Sequence, residues 1–306
     1  MNENNLLVRF DWAAKRILRD KANFGVIEGL LTVLLKEKIT IQQMLESESN
    51  QDSPEDKFNR VDIKAMNSKG EIIIVEIQLT RQLYYLERIL YGVSKAITEH
   101  ITLGSKYDNV KKVYSVNILY FDLGKGSDFL YHGKTTFVGV HTGDLLQVNF
   151  KEKDALSMRT PEAIFPEYYI IRVNEFNRVA KTPLEEWISY LKDGEIRPNT
   201  TTPGLAEARE KLQYLKMSKQ ERQDYDRHMD AIMTQNDVLD TAKMEGLAEG
   251  EAKGRAEGEA KGRAEGLVEG RAEGIKATAL KLKEMGMTLE QISIATGLTQ
   301  ADIEQL

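Results

Sequence analysis

The chain has 306 residues, 41% of them hydrophobic and 29% charged, enough for one large domain with appendages. It has no cysteine, which excludes disulfides, zinc–thiolate sites and thiol nucleophiles, and its four histidines show no HxxxH or HExxH spacing. A net charge of −6 excludes a broadly basic nucleic-acid binder, so any contact with DNA must rest on a local basic surface.

The N-terminal MNENNLLVRFDWAAKR has no apolar signal-peptide core, and no apolar run approaches the roughly 20 residues of a membrane span. A cytoplasmic protein without membrane contact is expected. The first 45 or so residues read as helical, with FDWAAKRILRD and NFGVIEGLLTVLLKEK spaced for helix, and the acidic LESESNQDSPEDK reads as a loop. Two strands follow, RVDIKAMN and EIIIVEIQ, and the stretch from Thr80 to Ile101 returns to helical spacing. Another strand spans Lys112 to Phe121, shorter strand-like runs occur at TTFVGV, LLQVNF and EYYIIRV, and LEEWISYLK is helical. This order predicts an α/β domain with a mixed sheet over residues 1–191.

Residues 192–204 read as a linker, 205–244 as a charged helical segment, and 245–275 as a four-residue repeat with glycine at 246, 250, 254, 258, 262, 266, 270 and 274. Residues 276–306 read as a small helical module, with a capping box from Thr288 and Gln291 and Thr299 as a later N-cap. Its TLEQISIATGLTQADIEQL resembles a helix-turn-helix with Gly297 at the turn. The only charged residues in the last nine are Asp302 and Glu304, so a protein-contact cap is expected rather than a DNA-reading helix.

Asn67-Ser68-Lys69-Gly70-Glu71 has the chemistry of a three-residue hairpin loop, with Gly70 in the left-handed position. Partners then sum to 138, which sets Asp62 opposite Glu76 and Arg60 opposite Gln78, with Lys64 on the same face. Two opposed carboxylates repel, and a divalent cation between them reverses that sign; Mg²⁺ commonly uses one or two carboxylates with water and substrate phosphate. The alternative is an exposed sheet face whose acids are neutralised by Arg60, Lys64 or Arg81.

Tyr84, Arg88, Tyr91 and Lys95 fall on one stripe of the following helix, and Arg81 precedes them. A basic and aromatic stripe beside a metal site suits a phosphate backbone, which makes Arg81, Arg88, Tyr91 and Lys95 the candidate DNA contacts. In the other reading the tyrosines are core and the cations pair with Glu87 and Glu99.

The repeat is not a phosphate loop, because no strand precedes it and no GxxxxGK[ST] occurs. Four i,i+4 pairs, Glu249–Lys253, Glu251–Arg255, Glu257–Lys261 and Glu259–Arg263, each contribute about 0.2–0.5 kcal/mol. Eight glycines cost about 0.8–1.0 kcal/mol each, so an isolated helix here is marginal. A period of four winds the glycine stripe around the axis by about 40° per repeat. The segment is expected to be a semi-flexible helical spacer through which the chain can self-associate, or else a frayed linker.

Asp62 followed fourteen residues on by Glu76-x-Gln78, with the acids on a hairpin and a helix next, resembles the PD-(D/E)XK nuclease superfamily. FDWAAKRILRDKANF, LESESNQ, NRVDIKA, IIIVEIQ, LYGVSKAITE, VYSVNILYFDLG and PEYYIIRVN narrow the resemblance to the Rpn family, recombination-promoting nucleases also described as transposases. It covers residues from about 6 to 190 and the type of tail. The resemblance implies a restriction-endonuclease-like α/β core, a mixed central sheet flanked by helices, followed by a long helical extension. It also implies a DNA endonuclease dependent on Mg²⁺, with Mn²⁺ as substitute, that promotes recombination or mobile-element processes.

Carried over by residue, Asp62 and Glu76 ligate the metal, the Ile77 carbonyl completes the site, and Gln78 takes the place of the catalytic lysine. A glutamine carries no charge, so its role is positional and transition-state charge falls to the metal and nearby basic residues. Glu46 or Glu48 would supply a further acid. One rival is a catalytically weak or inactive DNA-binding or accessory protein on the same fold. Another is an assembly protein whose tail carries the function.

Overall fold

The computed structural model describes residues 7–16, 18, 20–45, 61–100, 107, 110–152 and 155–306. The chain divides into two compact units, Met1–His228 and Met229–Leu306.

The first unit is built on a six-stranded sheet. In chain order its strands are β1 (Ile41–Met44), β2 (Ile63–Asn67), β3 (Ile72–Gln78), β4 (Val113–Leu119), β5 (Leu130–Gly133) and, after two strands of another sheet, β8 (Glu167–Arg172). Across the sheet they run β1-β2-β3-β4-β8-β5, with β3, β4 and β8 parallel and the other neighbours antiparallel. The separate two-stranded sheet pairs β6 (Val148–Glu152) with β7 (Ala155–Arg159).

The β2–β3 hairpin has the register its loop predicts, from Ile63 with Val75 to Met66 with Ile72. Gly70 sits at φ +75° and donates to the Asn67 carbonyl at 2.9 Å, while the Asn67 N–H reaches the Glu71 carbonyl at 3.0 Å. Asn67 Oδ1 also accepts from the N–H groups of Lys69 and Glu71, which closes the turn with a side chain.

Four expectations are corrected. Ile41–Met44, within the stretch expected to be helical, is edge strand β1, pinned where the Glu28 side chain accepts the Ile41 N–H at 2.7 Å. TTFVGV forms only an isolated bridge, Val138 with Leu145, and LLQVNF becomes strand only from Val148. β5 and β7 were not anticipated, being short and lacking clear alternation. The helix expected from Thr80 begins only at Tyr85 and runs to Thr98 as α3.

α3 lies on the sheet face that carries Ile72, Ile74, Val113 and Leu119, and contributes Tyr85, Ile89, Val93 and Ala96 to two buried clusters. The opposite face presents Ile63, Ala65, Ile73, Val75, Ile77, Val116, Ile118 and Ile171, all buried. On α1 (Phe10–Arg16), α2 (Phe24–Leu35) and α4 (Pro183–Asp193), Phe10, Leu30, Leu31, Trp187 and Tyr190 are also buried, with Phe10 edge-on to both Trp187 and Tyr190.

The segment expected as a linker packs against this unit. The Trp187 indole donates to the Pro203 carbonyl at 3.0 Å, and Thr202 Oγ1 donates to Glu186 at 2.8 Å. Gly204, at φ +79°, approaches α2 so closely that a Cβ there would lie 2.8 Å from the Gly29 Cα. α5 (Leu205–Lys211) follows, and Val8 donates to the Leu212 carbonyl at 2.8 Å, so the chain returns to its own N-terminal segment.

The charged segment expected as one helical stretch over 205–244 is broken after α5, and α6 (Lys219–Glu284) takes up its remainder from Lys219 together with the whole repeat in one helix of 66 residues. Within the repeat the ion pair present is Lys261–Glu265 at 3.8 Å, in the less favourable orientation. In the second unit, Ala279 packs with Ile292 of α7 (Leu289–Thr296) and Ile303 of α8 (Gln300–Glu304). The expected capping box of Thr288 and Gln291 is present, and Thr299 forms another with Asp302. Among the described residues no helix is long and apolar enough to cross a membrane.

The start of α6 is held by a buried acid. Asp11 is fully buried and accepts from Arg9 Nε at 2.9 Å and from His228 Nε2 at 2.8 Å. Burial alone would raise its pKa, but the His228 hydrogen bond and the Arg9 charge hold it below the ordinary 3.8. Asp11→Ala should therefore lower stability at pH 7 by about 3–5 kcal/mol. The Tm gap to wild type should stay complete above the ordinary carboxylate range and close as pH falls through the lower folded value. A second expectation concerns the repeat: no atom lies within 4 Å of a Cβ built on any of its eight glycines. Gly254→Ala, Gly258→Ala and Gly262→Ala should each stabilise the helix by about 0.8–1.0 kcal/mol, read by circular dichroism on heating.

Candidate active site

The strand rich in isoleucine is buried on both faces because helices cover both, so its one carboxylate, Glu76, is taken inside with it at 5% exposure. Glu76 lies next to Asn117 of β4 in register, and Asp62 is the residue just before β2, where the ladder with β3 ends at Ile63 and Val75. Asp62 does not continue the strand. Its Oδ2 accepts the Ile77 N–H at 2.7 Å.

Bonded pairs in this ladder alternate from Asn67 with Glu71, so Ile77 directs both its N–H and its carbonyl to the β2 side. The Asp62 carboxylate and the Ile77 carbonyl thus share one side of β3.

Glu76 is neutralised from above. Nη2 of Arg88 on α3 lies 2.6 Å from Glu76 Oε1, and Arg88 Nη1 donates to Gln82 Oε1 at 2.7 Å. The contact with Glu76 lacks hydrogen-bond geometry, so Oε1 is a buried carboxylate oxygen with a charge partner and no hydrogen bond. Burial raises the Glu76 pKa, Arg88 opposes that, and the Asp62 charge adds to the rise. The Tyr85 phenol, pushed up by burial and then by Glu76, reaches towards Asn117 Oδ1 at 3.4 Å.

Gln78 ends β3, and its Nε2 donates to the Thr80 carbonyl at 3.2 Å. Arg81 is exposed in the segment before α3. Arg88, Tyr91 and Lys95 are half-buried along α3, whereas Tyr84 falls off the expected stripe: it precedes the helix at φ +61° and is 76% exposed. Lys64, expected as one neutraliser of the acids, is buried and pairs with Glu99 of α3. Arg60, Glu46 and Glu48 lie outside the described residues.

Asn117 and Tyr85 were missed in the sequence. Asn117 is buried beside Glu76, its Nδ2 donating to Ser115 Oγ at 3.0 Å and to the Tyr169 carbonyl at 3.3 Å. A lone amide inside the apolar run VYSVNILYF was the available signal.

The donors suit a small hard cation: two carboxylates with mutual repulsion, one buried oxygen without a hydrogen bond, and a carbonyl on the same side. Among the described residues no group of three or more His, Asp or Glu forms a fuller metal cage.

Because the fold favours the protonated form of Glu76, ionisation above its ordinary 4.5 subtracts from stability. Glu76→Gln should raise the Tm of metal-free protein at neutral pH. The gain over wild type should vanish at pH values below the ordinary 4.5, where both states carry a neutral group.

Searches of curated proteins and of solved structures returned no significant match. The family model for the PD-(D/E)XK nuclease family transposases matches residues 8–242, which includes the whole sheet, both acids and α3. Members of this family typically use divalent metal ions. With more than half of the chain matched, the protein belongs to the PD-(D/E)XK nuclease family transposases.

Proposed function

We propose that this chain is an Mg²⁺-dependent DNA endonuclease that hydrolyses phosphodiester bonds and serves recombination or mobile-element processes. The observation that carries the proposal is the pair of acids near enough for the Asp62 charge to act on Glu76, with Glu76 Oε1 buried and without a hydrogen bond. Asp62, Glu76 and the Ile77 carbonyl would hold the ion. When bound, such an ion supplies positive charge that acidifies water and offsets charge developing on the phosphodiester.

The remaining roles belong to the chain. Gln78 has its amide nitrogen tied to Thr80, which turns its carbonyl oxygen into the atom that accepts a proton of an incoming water and orients it. Asn117 and Tyr85 buttress Glu76 from β4 and α3. Arg81, Tyr91 and Lys95 offer cations and a phenol to the DNA backbone, whose charge requires them in a protein of net charge −6.

The rival, a DNA-binding or accessory protein on a nuclease fold, draws on Gln78, since an amide cannot replace the charge of a lysine. Cleavage of supercoiled plasmid separates the two. Wild type should cut with Mg²⁺ and stop with EDTA. Asp62→Ala and Glu76→Ala should each lose at least about 10²-fold, the scale of removing one preorganised charge partner. Intact plasmid across Mg²⁺ and Mn²⁺ would leave the binding protein as the better reading.

A further inference from the structure

We propose that Arg88 is a resident counter-cation of the acid pair: it holds Glu76 in the metal-free protein, and a divalent cation entering at Asp62 and Glu76 displaces its guanidinium towards solvent. The inference rests on the metal-site reading above and adds a competition that the reading does not contain.

Glu76 cannot stay charged and buried without compensation, because an uncompensated carboxylate in the interior costs several kcal/mol. In this structure the compensation comes from Arg88 Nη2 at 2.6 Å. That contact and a cation on the same oxygen exclude one another, since two cations sharing Oε1 would repel at close range. The contact is also of a kind that can be exchanged, because an entering cation takes over the compensation of Glu76 that Arg88 Nη2 supplies.

Arg88 has somewhere to go. The Arg88 side chain is 34% exposed, against 7% for that of Glu76, so the guanidinium already stands at the solvent end of the pair. Gln82 holds its other nitrogen at 2.7 Å and can retain it after Glu76 lets go. On α3 it shares a row with Tyr91 and Lys95, and once released it points a full charge where a phosphate would approach. The same residue would then stabilise the empty site and bind the substrate of the loaded one.

A strut that merely anchors α3 predicts otherwise: its removal would leave metal affinity unchanged or reduce it. The test is Mn²⁺ binding to the full chain, measured without DNA by titration calorimetry and by the electron paramagnetic resonance of free Mn²⁺. Arg88→Gln should bind Mn²⁺ at least about tenfold more tightly than wild type, which is about 1.4 kcal/mol. Its Tm without metal should fall, and the rise on adding metal should exceed that of wild type.

Arg88→Lys, which keeps a charge but cannot span Glu76 and Gln82 together, should fall between them, and it decides the matter if Arg88→Gln does not fold. Glu76→Gln is the control for the site itself. If wild type and the Arg88 variants bind Mn²⁺ equally while Glu76→Gln does not, the competition is wrong and the metal site stands. If none of them binds Mn²⁺, the competition and the metal site fail together.

Discussion

Glu76 is a charge on a face of the sheet that a helix has to cover, and much of the local architecture follows from that. Ile72, Ile74, Val113 and Leu119 draw α3 onto the face, and the cover it makes takes Glu76 to 5% exposure. Apolar packing alone would let such a helix slide, since many registers of Ile and Val on Ile and Val have similar area. Two ion pairs remove that freedom. Arg88 of α3 meets Glu76 of β3, and three turns on, Glu99 beside the end of α3 meets Lys64 of β2. The charges are exchanged between the pairs, so a rotated or shifted helix would set like against like.

The early end of β2 is the second constraint. Had the ladder continued, the backbone at Val61 would have taken the Ile77 N–H and the Asp62 side chain would simply have stood on the face. Instead Asp62 bends out of the strand and uses its carboxylate as the acceptor. One oxygen is thereby fixed relative to the backbone of β3, and Asp62 is positioned by a bond that does not depend on its rotamer alone. The repulsion it exerts on Glu76 is therefore built in, because neither acid can swing away without losing a partner. A cation-holding geometry is stored in a local break of regular structure, as backbone irregularities at functional sites often are.

The legible parts of this were those governed by local rules. Asn67-Ser68-Lys69-Gly70-Glu71 fixes its own turn, and alternation from that turn sets the partners as far as Ile63 with Val75; counting on to Asp62 opposite Glu76 runs past the end of the ladder, where Asp62 turns to the Ile77 N–H instead. The capping box at Thr288 and the N-cap at Thr299 are equally local. What could not be read depends on three dimensions. Spacing put Tyr84, Arg88, Tyr91 and Lys95 on one stripe and left open whether it meets DNA or the core; which side of α3 faces the sheet is decided by Ile89 and Val93, and this sets Arg88 onto Glu76. Lys64 was visible as a cation near the acids, but its partner is thirty-five residues away on another element. Asn117 looked like an ordinary member of a strand until the parallel register put it beside Glu76.

The tail obeys a different balance. The family match ends at residue 242, just before the repeat, and the first compact unit ends at His228, yet both points fall inside the unbroken α6. The helix has its tertiary contacts near its two ends: Tyr225 and His228 against α1 in one unit, and Ala279 against α7 and α8 in the other. Between them lie eight glycines with open space around each and one weak ion pair. Helix propagation through such a stretch is close to neutral per residue, because glycine forfeits about what Ala, Glu and Lys gain. Its persistence therefore depends on nucleation supplied from both ends, and the middle is where the helix opens first.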